Sequence, residues 1–448
     1  MTSEITNTRI LKIALPMVVS NATIPILGAV DTGVIGQLGD QALLAAVGVG
    51  AIVISTIYWV FGFLRMGTTG LVAQAKGSGN QSEVFSYLIR GLIIGFVAGL
   101  VLLLLQIPLF WLALNIFQAV PEVETQAKVY LSIRVWSAPL SIANFAVLGW
   151  LIALEKTFYV LLLQVLVNVL NVVLDLVFVL YLGWGIEGVA FASLIAELSG
   201  ALLAFVIIIK LYQQSGSPRL VKLFSIREWK RLFFTNANIL IRSVILEVVI
   251  ISYVFFGSTL GTVILATNHI LLQFVHITSY ALDGFAFSAE ALVGSAYGQR
   301  SQPQIRSAAL KSTFWALLCA LLMTLFFFLF GEKLIQVMVK DEIIQNTSQE
   351  YLFWMAITPI SGFLSFMLDG VFIGATGTKY MRKAMLQSLI VYIIFMSVLF
   401  PILGNHGLWI CINIFFMARA IFLFRYYPAL ESFGEKNKTV RLNKDCVD

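Results

Sequence analysis

Charge is scarce in this sequence. Only 12% of its 448 residues are Asp, Glu, Lys or Arg, 59% are hydrophobic, and mean hydropathy is +0.92. A soluble domain is roughly a quarter charged and needs those groups to cover its surface, so water is excluded as the solvent and a bilayer is implied. In hydrocarbon every backbone amide needs an internal partner, which leaves helices or closed barrels. The apolar runs extend for about twenty residues or more, whereas barrel strands alternate over about ten, so helices are required. Cysteine is nearly missing too: Cys319 and Cys411 lie in apolar runs and Cys446 near the end, which excludes a disulfide framework. A phosphate-binding loop, a zinc-ligand spacing and a nucleophile elbow are also lacking. No enzyme, no cofactor and no firmly held metal are therefore expected.

Long hydrophobic runs are what the sequence has in abundance. Spans are predicted over roughly 12–36, 43–70, 84–107, 125–150, 157–181 and 186–210, and again over 235–257, 263–290, 307–330, 347–374, 381–402 and 406–427. Between the two sets, residues 211–233 break the pattern with Gln213, Gln214, Ser215, Gly216 and Pro218. From Leu220 onward bulky apolar and basic residues mix, as in a short amphipathic helix on the cytoplasmic face. The expected organisation is an N-terminal six-helix lobe over 1–210, this linker, a C-terminal six-helix lobe over 234–430 and a cytoplasmic tail over 431–448.

Lys and Arg gather in alternate connections: Arg9 and Lys12, Lys76, Lys156, Lys210 through Arg231, Arg300 and Arg306, Lys379 to Lys383, and Arg425 to Lys444. The intervening connections hold mainly acids or nothing charged, apart from Lys333 and Lys340. By the positive-inside rule both termini and the middle loop face the cytoplasm, so the formal charge of +6 reflects orientation in a plasma (inner) membrane and implies no nucleic acid. The first run is long and flanked by Arg9 and Lys12, so it reads as a permanent span rather than a signal peptide.

The two sets of spans are related. A shift of 221 residues places Leu71 and Val72 on Leu292 and Val293, Ala75 on Ala296, Gly77 on Gly298 and Gln81 on Gln302. The same shift places Tyr130 and Leu131 on Tyr351 and Leu352, Gly149 on Gly370 and Thr157 on Thr378. These matches cluster at equivalent span ends without changing the offset. Each set has an even number of spans, so the repeats are parallel, related by an axis along the membrane normal, with a cavity expected between the halves. The expected fold class is an all-α polytopic membrane protein with twelve transmembrane helices in two six-helix lobes related by a pseudo-two-fold axis.

Ionisable groups inside spans cost about 2.5–3.5 kcal/mol each on insertion scales, so each needs a reason. Asp31 follows an uncharged run from Ile13 to Val30 that contains Pro16 and Pro25, and two prolines in one span make it easy to bend. In span five Gln164, Asn168, Asn171 and Asp175 are spaced four, three and four apart, so they share one helical face. At 1.5 Å per residue, Asp31, Asp175 and Ser193 all fall about 8–10 Å below the outer surface. If they meet, two carboxylates in low dielectric cannot both ionise easily, and the pair suits binding and releasing a proton.

The second set lacks this arrangement. Its acids are Asp283 and Glu290 in span eight and Asp369 in span ten, placed to pair with Arg or Lys in an inner gate or to cap helices. Glu197, Glu247, Arg65, Arg134, His269 and His276 also lie within spans, where structural ion pairs or hydrogen bonds are the favoured reading.

Several segments together resemble the multidrug and toxic compound extrusion transporters, in particular their DNA-damage-inducible F branch. They include Leu15-Pro-Met-Val-Val-Ser-Asn21, Pro25-Ile-Leu-Gly-Ala-Val-Asp31, Asn168-Val-Leu-Asn171-Val-Val-Leu-Asp175, Gly188-Val-Ala-Phe-Ala-Ser193, Leu368-Asp-Gly-Val-Phe and Gly404-Asn-His-Gly-Leu-Trp. The likeness covers essentially the whole chain. It implies two six-helix lobes forming a V and export of cationic or amphipathic compounds in exchange for H⁺ or Na⁺. It further implies that Asp31 is the coupling group and that the first span bends near Pro16 on its protonation. The N-lobe polar cluster falls on Asn171, Asp175 and Ser193, with Asn21, Gln164 and Asn168 beside them. Some relatives carry threonine where Ser193 stands.

The expected function is thus antiport, with H⁺ as the leading coupling ion, small cationic or amphipathic substrates, lipid as surroundings and a monomer as the working unit. Asp31, Asn171, Asp175 and Ser193 offer oxygens that suit Na⁺ as well, which leaves a Na⁺-coupled variant open. A flippase of lipid-linked precursors and an uncoupled channel-like protein are the readings from other classes. The first would need a broader cationic cavity, and the second leaves the polar cluster unexplained.

Overall fold

Runs of Leu, Val, Ile and Phe longer than twenty residues can satisfy their backbone in hydrocarbon only by bonding each amide to the carbonyl one turn back. This chain does so almost throughout. The structure, a computed structural model, describes residues 4–37, 40–117, 120–220 and 223–442, and within them every side chain except those of 24–29, 31–32, 117 and 433–442. Cys446, and the side chains of Pro25 and Asp31, lie outside the described residues.

The helices are α1 (Asn7–Gly36), α2 (Gln41–Gly77, interrupted at Phe61 and Gly62), α3 (Gln81–Leu104), the short α4 (Gln106–Phe117), α5 (Pro121–Ala153), α6 (Thr157–Tyr181) and α7 (Gly185–Gln214). They continue as α8 (Ile226–Ser258), α9 (Thr262–Gly298), α10 (Gln302–Met338), α11 (Glu342–Gly374), α12 (Thr378–Leu403) and α13 (Asn405–Leu442). No strand occurs among the described residues. Eleven of these helices, α2, α3 and α5 to α13, are long and apolar enough to cross a membrane. With α1, thirty residues long and uncharged from Ile13 to Val30, they make the twelve expected spans.

Two features differ from the sequence reading. Helix α4 fills a stretch assigned to no span. The basic segment read as a separate surface helix is instead the start of α8, because no Gly or Pro interrupts the chain from Ile226 until Gly257. A polar helical run with nothing to break it simply extends the helix that follows. Acids in the connections have a local task as well. Asp40 Oδ1 accepts from the backbone N–H of Ala42 and Leu43 at 2.9 and 3.1 Å, and Asp341 Oδ1 does the same for Ile343 and Ile344 at 2.9 and 3.1 Å. These caps satisfy amides that a helix start leaves open.

The chain divides into two compact units. One comprises the chain up to Val18, Ala73–Ser78 and everything from Phe233 onward; the other comprises Val19–Val72 and Gly79–Leu232. The second of these packs around Ile54, Tyr130, Leu131, Ile142 and Val189. The first packs around Phe274, Phe327, Met355, Trp409 and Phe415. Large apolar side chains also crowd the exposed faces, such as Leu322, Leu325, Phe326 and Leu329 on α10. A surface of that kind is stable against lipid and not against water.

The internal repeat reappears as matched backbone contacts. A Cβ added at Gly149 would lie 2.3 Å from the Arg65 carbonyl oxygen, and one at Gly370 would lie 2.5 Å from that of Ala286. Arg65 and Ala286 are themselves 221 residues apart, so each unit contains the same crossing. A Cβ at Gly77 would meet the Ser295 carbonyl at 1.9 Å, and one at Gly298 would meet that of Gln74 at 2.1 Å. The shift exchanges these two contacts, and between them a Cβ at Gly294 would lie 2.6 Å from the Cβ of Ala73, its own equivalent. A crossing that maps onto itself under the 221-residue shift carries the sequence repeat into the packing of the unit that contains Ala73–Ser78.

These approaches leave no room for a side chain. Gly149→Val and Gly370→Val are each expected to destabilise the protein by about 1–3 kcal/mol through forced backbone separation. Gly48→Ala, with open space around its added methyl, should be neutral or gain about 0.5–1 kcal/mol. Thermal melting in detergent checks this, and a Gly370→Val midpoint equal to that of Gly48→Ala would contradict it.

Candidate functional site

Helix α6 is apolar apart from one stripe, and the structure turns that stripe inward. Asn168, Asn171 and Asp175 are buried, Asp175 completely, and Gln164 is partly buried. Val165, Val169, Val173 and Leu176 point outward with large exposed areas. Three tethers fix the stripe. Gln164 Nε2 donates to Asn168 Oδ1 at 3.5 Å, Asn168 Nδ2 donates to Thr23 Oγ1 at 2.7 Å, and Asn171 Nδ2 donates to Ser193 Oγ at 2.8 Å. The expected cluster of Asn168, Asn171, Asp175 and Ser193 therefore involves α1, α6 and α7 within one unit. Buried amides of this kind must be paired, since an open one costs about 1–3 kcal/mol. Immediately after Asp175 the helix loosens into a π-helical turn, Leu176–Tyr181, a form concentrated at functional positions.

Helix α1 is continuous through Pro16 and through the backbone at Pro25 and Asp31. Pro16 is half-buried, as is Asn21. Asp31 stands five residues before the end of α1 at Gly36.

Asn171 and Ser193 line a cavity of about 500 Å³ within this unit, together with Tyr58, Trp59, Arg134 and Glu197. Glu197 lies four residues after Ser193 and shares its face of α7. Arg134 Nη2 donates to Glu197 Oε1 at 2.8 Å, and Ser141 Oγ donates to Glu197 Oε2 at 2.5 Å. Tyr58 OH reaches Ser137 Oγ at 3.0 Å. The Arg134–Glu197 ion pair matches the structural reading given to both residues, but its place on the cavity wall was not foreseen. The spacing from Ser193 to Glu197 was the signal in the sequence.

The other unit holds a different arrangement. Asp369 is buried five residues before the end of α11 at Gly374, far from any helix start. Its Oδ2 accepts from Arg242 Nη2 and, at 2.5 Å, from Arg419 Nη2. Arg419 also lies over the rings of Phe415, Phe416 and Phe366 at 5.6, 5.7 and 5.9 Å. Capping, one of two readings for Asp369, is thereby replaced by ion pairing, and both arginines escaped the sequence reading. Glu290 is buried, Asp283 and Glu247 are half-buried, and His269 and His276 are exposed on α9. No group of three His, Cys, Asp or Glu side chains arranged to hold a metal ion occurs among the described residues.

Comparison with known proteins agrees with this architecture. The MatE family model matches twice, over residues 16–177 and 239–399, once in each repeat. The chain is 37% identical over 412 residues to the DNA damage-inducible protein F of Escherichia coli (strain K12), covering 92% of this chain and 90% of that protein. It is 30% identical over 317 residues to the "Probable multidrug resistance protein NorM" of Synechocystis sp., covering 67% of this chain and 66% of that one. A crystal structure of a MATE protein in its bent conformation superimposes with a TM-score of 0.87 at 19% identity, covering 96% of each chain. From the doubled family match and the 37% identity over 92% of its length, we conclude that this chain belongs to the MatE family, whose members are membrane transporters and not enzymes.

Proposed function

We propose that this protein is an H⁺-coupled antiporter that exports cationic or amphipathic compounds, sitting in the inner membrane as a monomer with both termini in the cytoplasm. The observation that carries the reading is the buried row Asn168, Asn171 and Asp175, tethered to Thr23 and Ser193 in an otherwise apolar bundle, with Asn171 and Ser193 on the wall of a cavity. A buried carboxylate beside a cavity attracts a cation while ionised and releases it when protonated. The proposed cycle places this exchange at Asp31 and Asp175. A proton from outside neutralises the site, α1 bends near Pro16 or Pro25, the substrate leaves outward and the proton leaves to the cytoplasm. Asp283, Glu290 and Asp369 are proposed to belong to an inner gate.

The same donor set has a second occupant in Na⁺, because Asn171, Ser193 and Asp175 offer amide, hydroxyl and carboxylate oxygens of the kind hard cations prefer. A flippase is less well supported, since Arg134 on the cavity wall is already matched by Glu197 and leaves no surplus charge for a pyrophosphate. Dye efflux from proteoliposomes under an imposed pH gradient, and separately under a Na⁺ gradient, tests the proposal. Efflux under the pH gradient alone is expected, and Asp31→Asn should reduce it at least tenfold, the effect of about 1.4 kcal/mol on a coupled step. Unimpaired pH-driven efflux by Asp31→Asn would remove Asp31 from the scheme.

A further inference from the structure

The ion pair on the cavity wall is incompletely used. Arg134 is 8% exposed, and only its Nη2 is committed, to Glu197. Its Nε and Nη1 are buried and have no hydrogen-bond partner. Buried open donors on a charged group are costly. Arg242 and Arg419 carry them too, but of these three arginines only Arg134 lines the cavity. Here the open donors belong to a residue that lines a cavity of about 500 Å³, whose wall also carries Tyr58, Trp59, Tyr130 and Phe145. Flat aromatic walls suit a flat apolar body, and arginine N–H groups suit a carboxylate or carbonyl oxygen. The Glu197 carboxylate, held by Arg134 and Ser141, keeps acceptor capacity for a positively charged group.

We infer that Arg134 is a specificity-determining residue that takes an acceptor oxygen of the substrate, so that the cavity prefers zwitterionic aromatic amphipaths over purely cationic ones. The inference rests on the efflux reading for the location of the substrate, but it can be tested by binding alone. Glu197 sets the electrostatics. It offsets the arginine charge, so the cavity gains one directed donor group without becoming a general anion site. An added carboxylate on the substrate meets Arg134, while the substrate's cation remains free to meet Glu197 or the α6 stripe.

A matched pair of dyes provides the experiment. Tetramethylrhodamine and tetramethylrosamine share one xanthylium cation, and only the first carries a carboxylate. Fluorescence anisotropy gives the Kd of each for the purified full-length protein in detergent, without any ion gradient. The unaltered protein is expected to bind the rhodamine more tightly by about tenfold, the return on one charge-assisted hydrogen bond in a buried site. Arg134→Lys keeps the charge but loses Nε and Nη1. The double variant Arg134→Gln with Glu197→Gln removes both charges and so avoids stranding a buried carboxylate. Both should bring the ratio of the two Kd values close to one, whatever happens to the absolute values. A ratio unchanged in both variants, or a rosamine that binds the unaltered protein as tightly as the rhodamine, would overturn the assignment of Arg134 and leave the efflux reading standing. If the unaltered protein binds neither dye, the assignment and the location of the substrate cavity both fall.

Discussion

Asp369→Asn is expected to cost about 3–5 kcal/mol of stability, the usual penalty for removing one partner from a buried ion pair. Asp369 is the shared acceptor of two arginines, and the side chains of Arg242 and Arg419 are 8% and 1% exposed. Asparagine fits the space but brings no charge, so two guanidinium groups would remain in low dielectric without the carboxylate they share. The three rings around Arg419 soften this only in part, since a cation over an aromatic face is worth about 0.5–2 kcal/mol. Unfolding in detergent should show a lowered midpoint together with poor recovery from the membrane. A midpoint within error of the unaltered protein would mean that the triad contributes no net stability.

A companion variant separates structure from transport. Asp369→Leu combined with Arg242→Met and Arg419→Met removes all three charges and keeps the volume apolar. Replacements of this kind are often neutral or even stabilising by about 1–4 kcal/mol. The triple variant should therefore recover most of what Asp369→Asn loses. If it folds but fails to export, the triad works as part of the proposed inner gate. If it folds and exports normally, the triad is scaffolding.

What the sequence disclosed follows from the range over which its signals act. The spans were legible because each is set by its own residues: an apolar run of sufficient length must close its hydrogen bonds locally. The stripe on α6 was legible for the same reason, since Gln164, Asn168, Asn171 and Asp175 share a face by spacing alone. The 221-residue repeat could be read, and its meaning became physical with the structure. Gly149, Gly370, Gly77 and Gly298 recur because carbonyl groups of neighbouring helices occupy the space of their missing side chains. Asp369 shows the limit. Its partners lie 127 and 50 residues away, and no helical period connects residues at such distances. An arginine deep in an apolar span was still a signal, because it demands an acid somewhere, and Arg242 and Arg419 could have been matched to Asp369 on that ground. The cavity wall was only half legible. Ser193 and Glu197 share a face of α7, whereas Tyr58 and Arg134 reach that wall through tertiary packing of α2 and α5.

Asp175→Asn is expected to abolish the pH dependence of substrate binding and to reduce pH-driven export at least tenfold, which corresponds to about 1.4 kcal/mol. Asp175 is fully buried on α6, one turn after the Asn171 that bonds to Ser193. Asparagine preserves its size and hydrogen-bonding reach, so folding should survive the change. What it loses is the ability to carry a charge in one state and none in another. In the proposed cycle the ionised carboxylate strengthens the binding of a cation, and protonation cancels that attraction. Affinity for a permanent cation such as tetramethylrosamine should therefore fall as pH is lowered through the titration of the site. In Asp175→Asn the affinity should be weak and flat across the same interval, as if the site were permanently protonated. The sign discriminates against a purely structural role, because a variant that merely loosens the bundle would weaken binding while keeping its slope with pH. A slope unchanged in Asp175→Asn but absent in Asp31→Asn would assign the proton to α1 alone. A slope that persists in both would exclude these two carboxylates as the coupling site, and with them the proposed exchange of proton for cation in this unit.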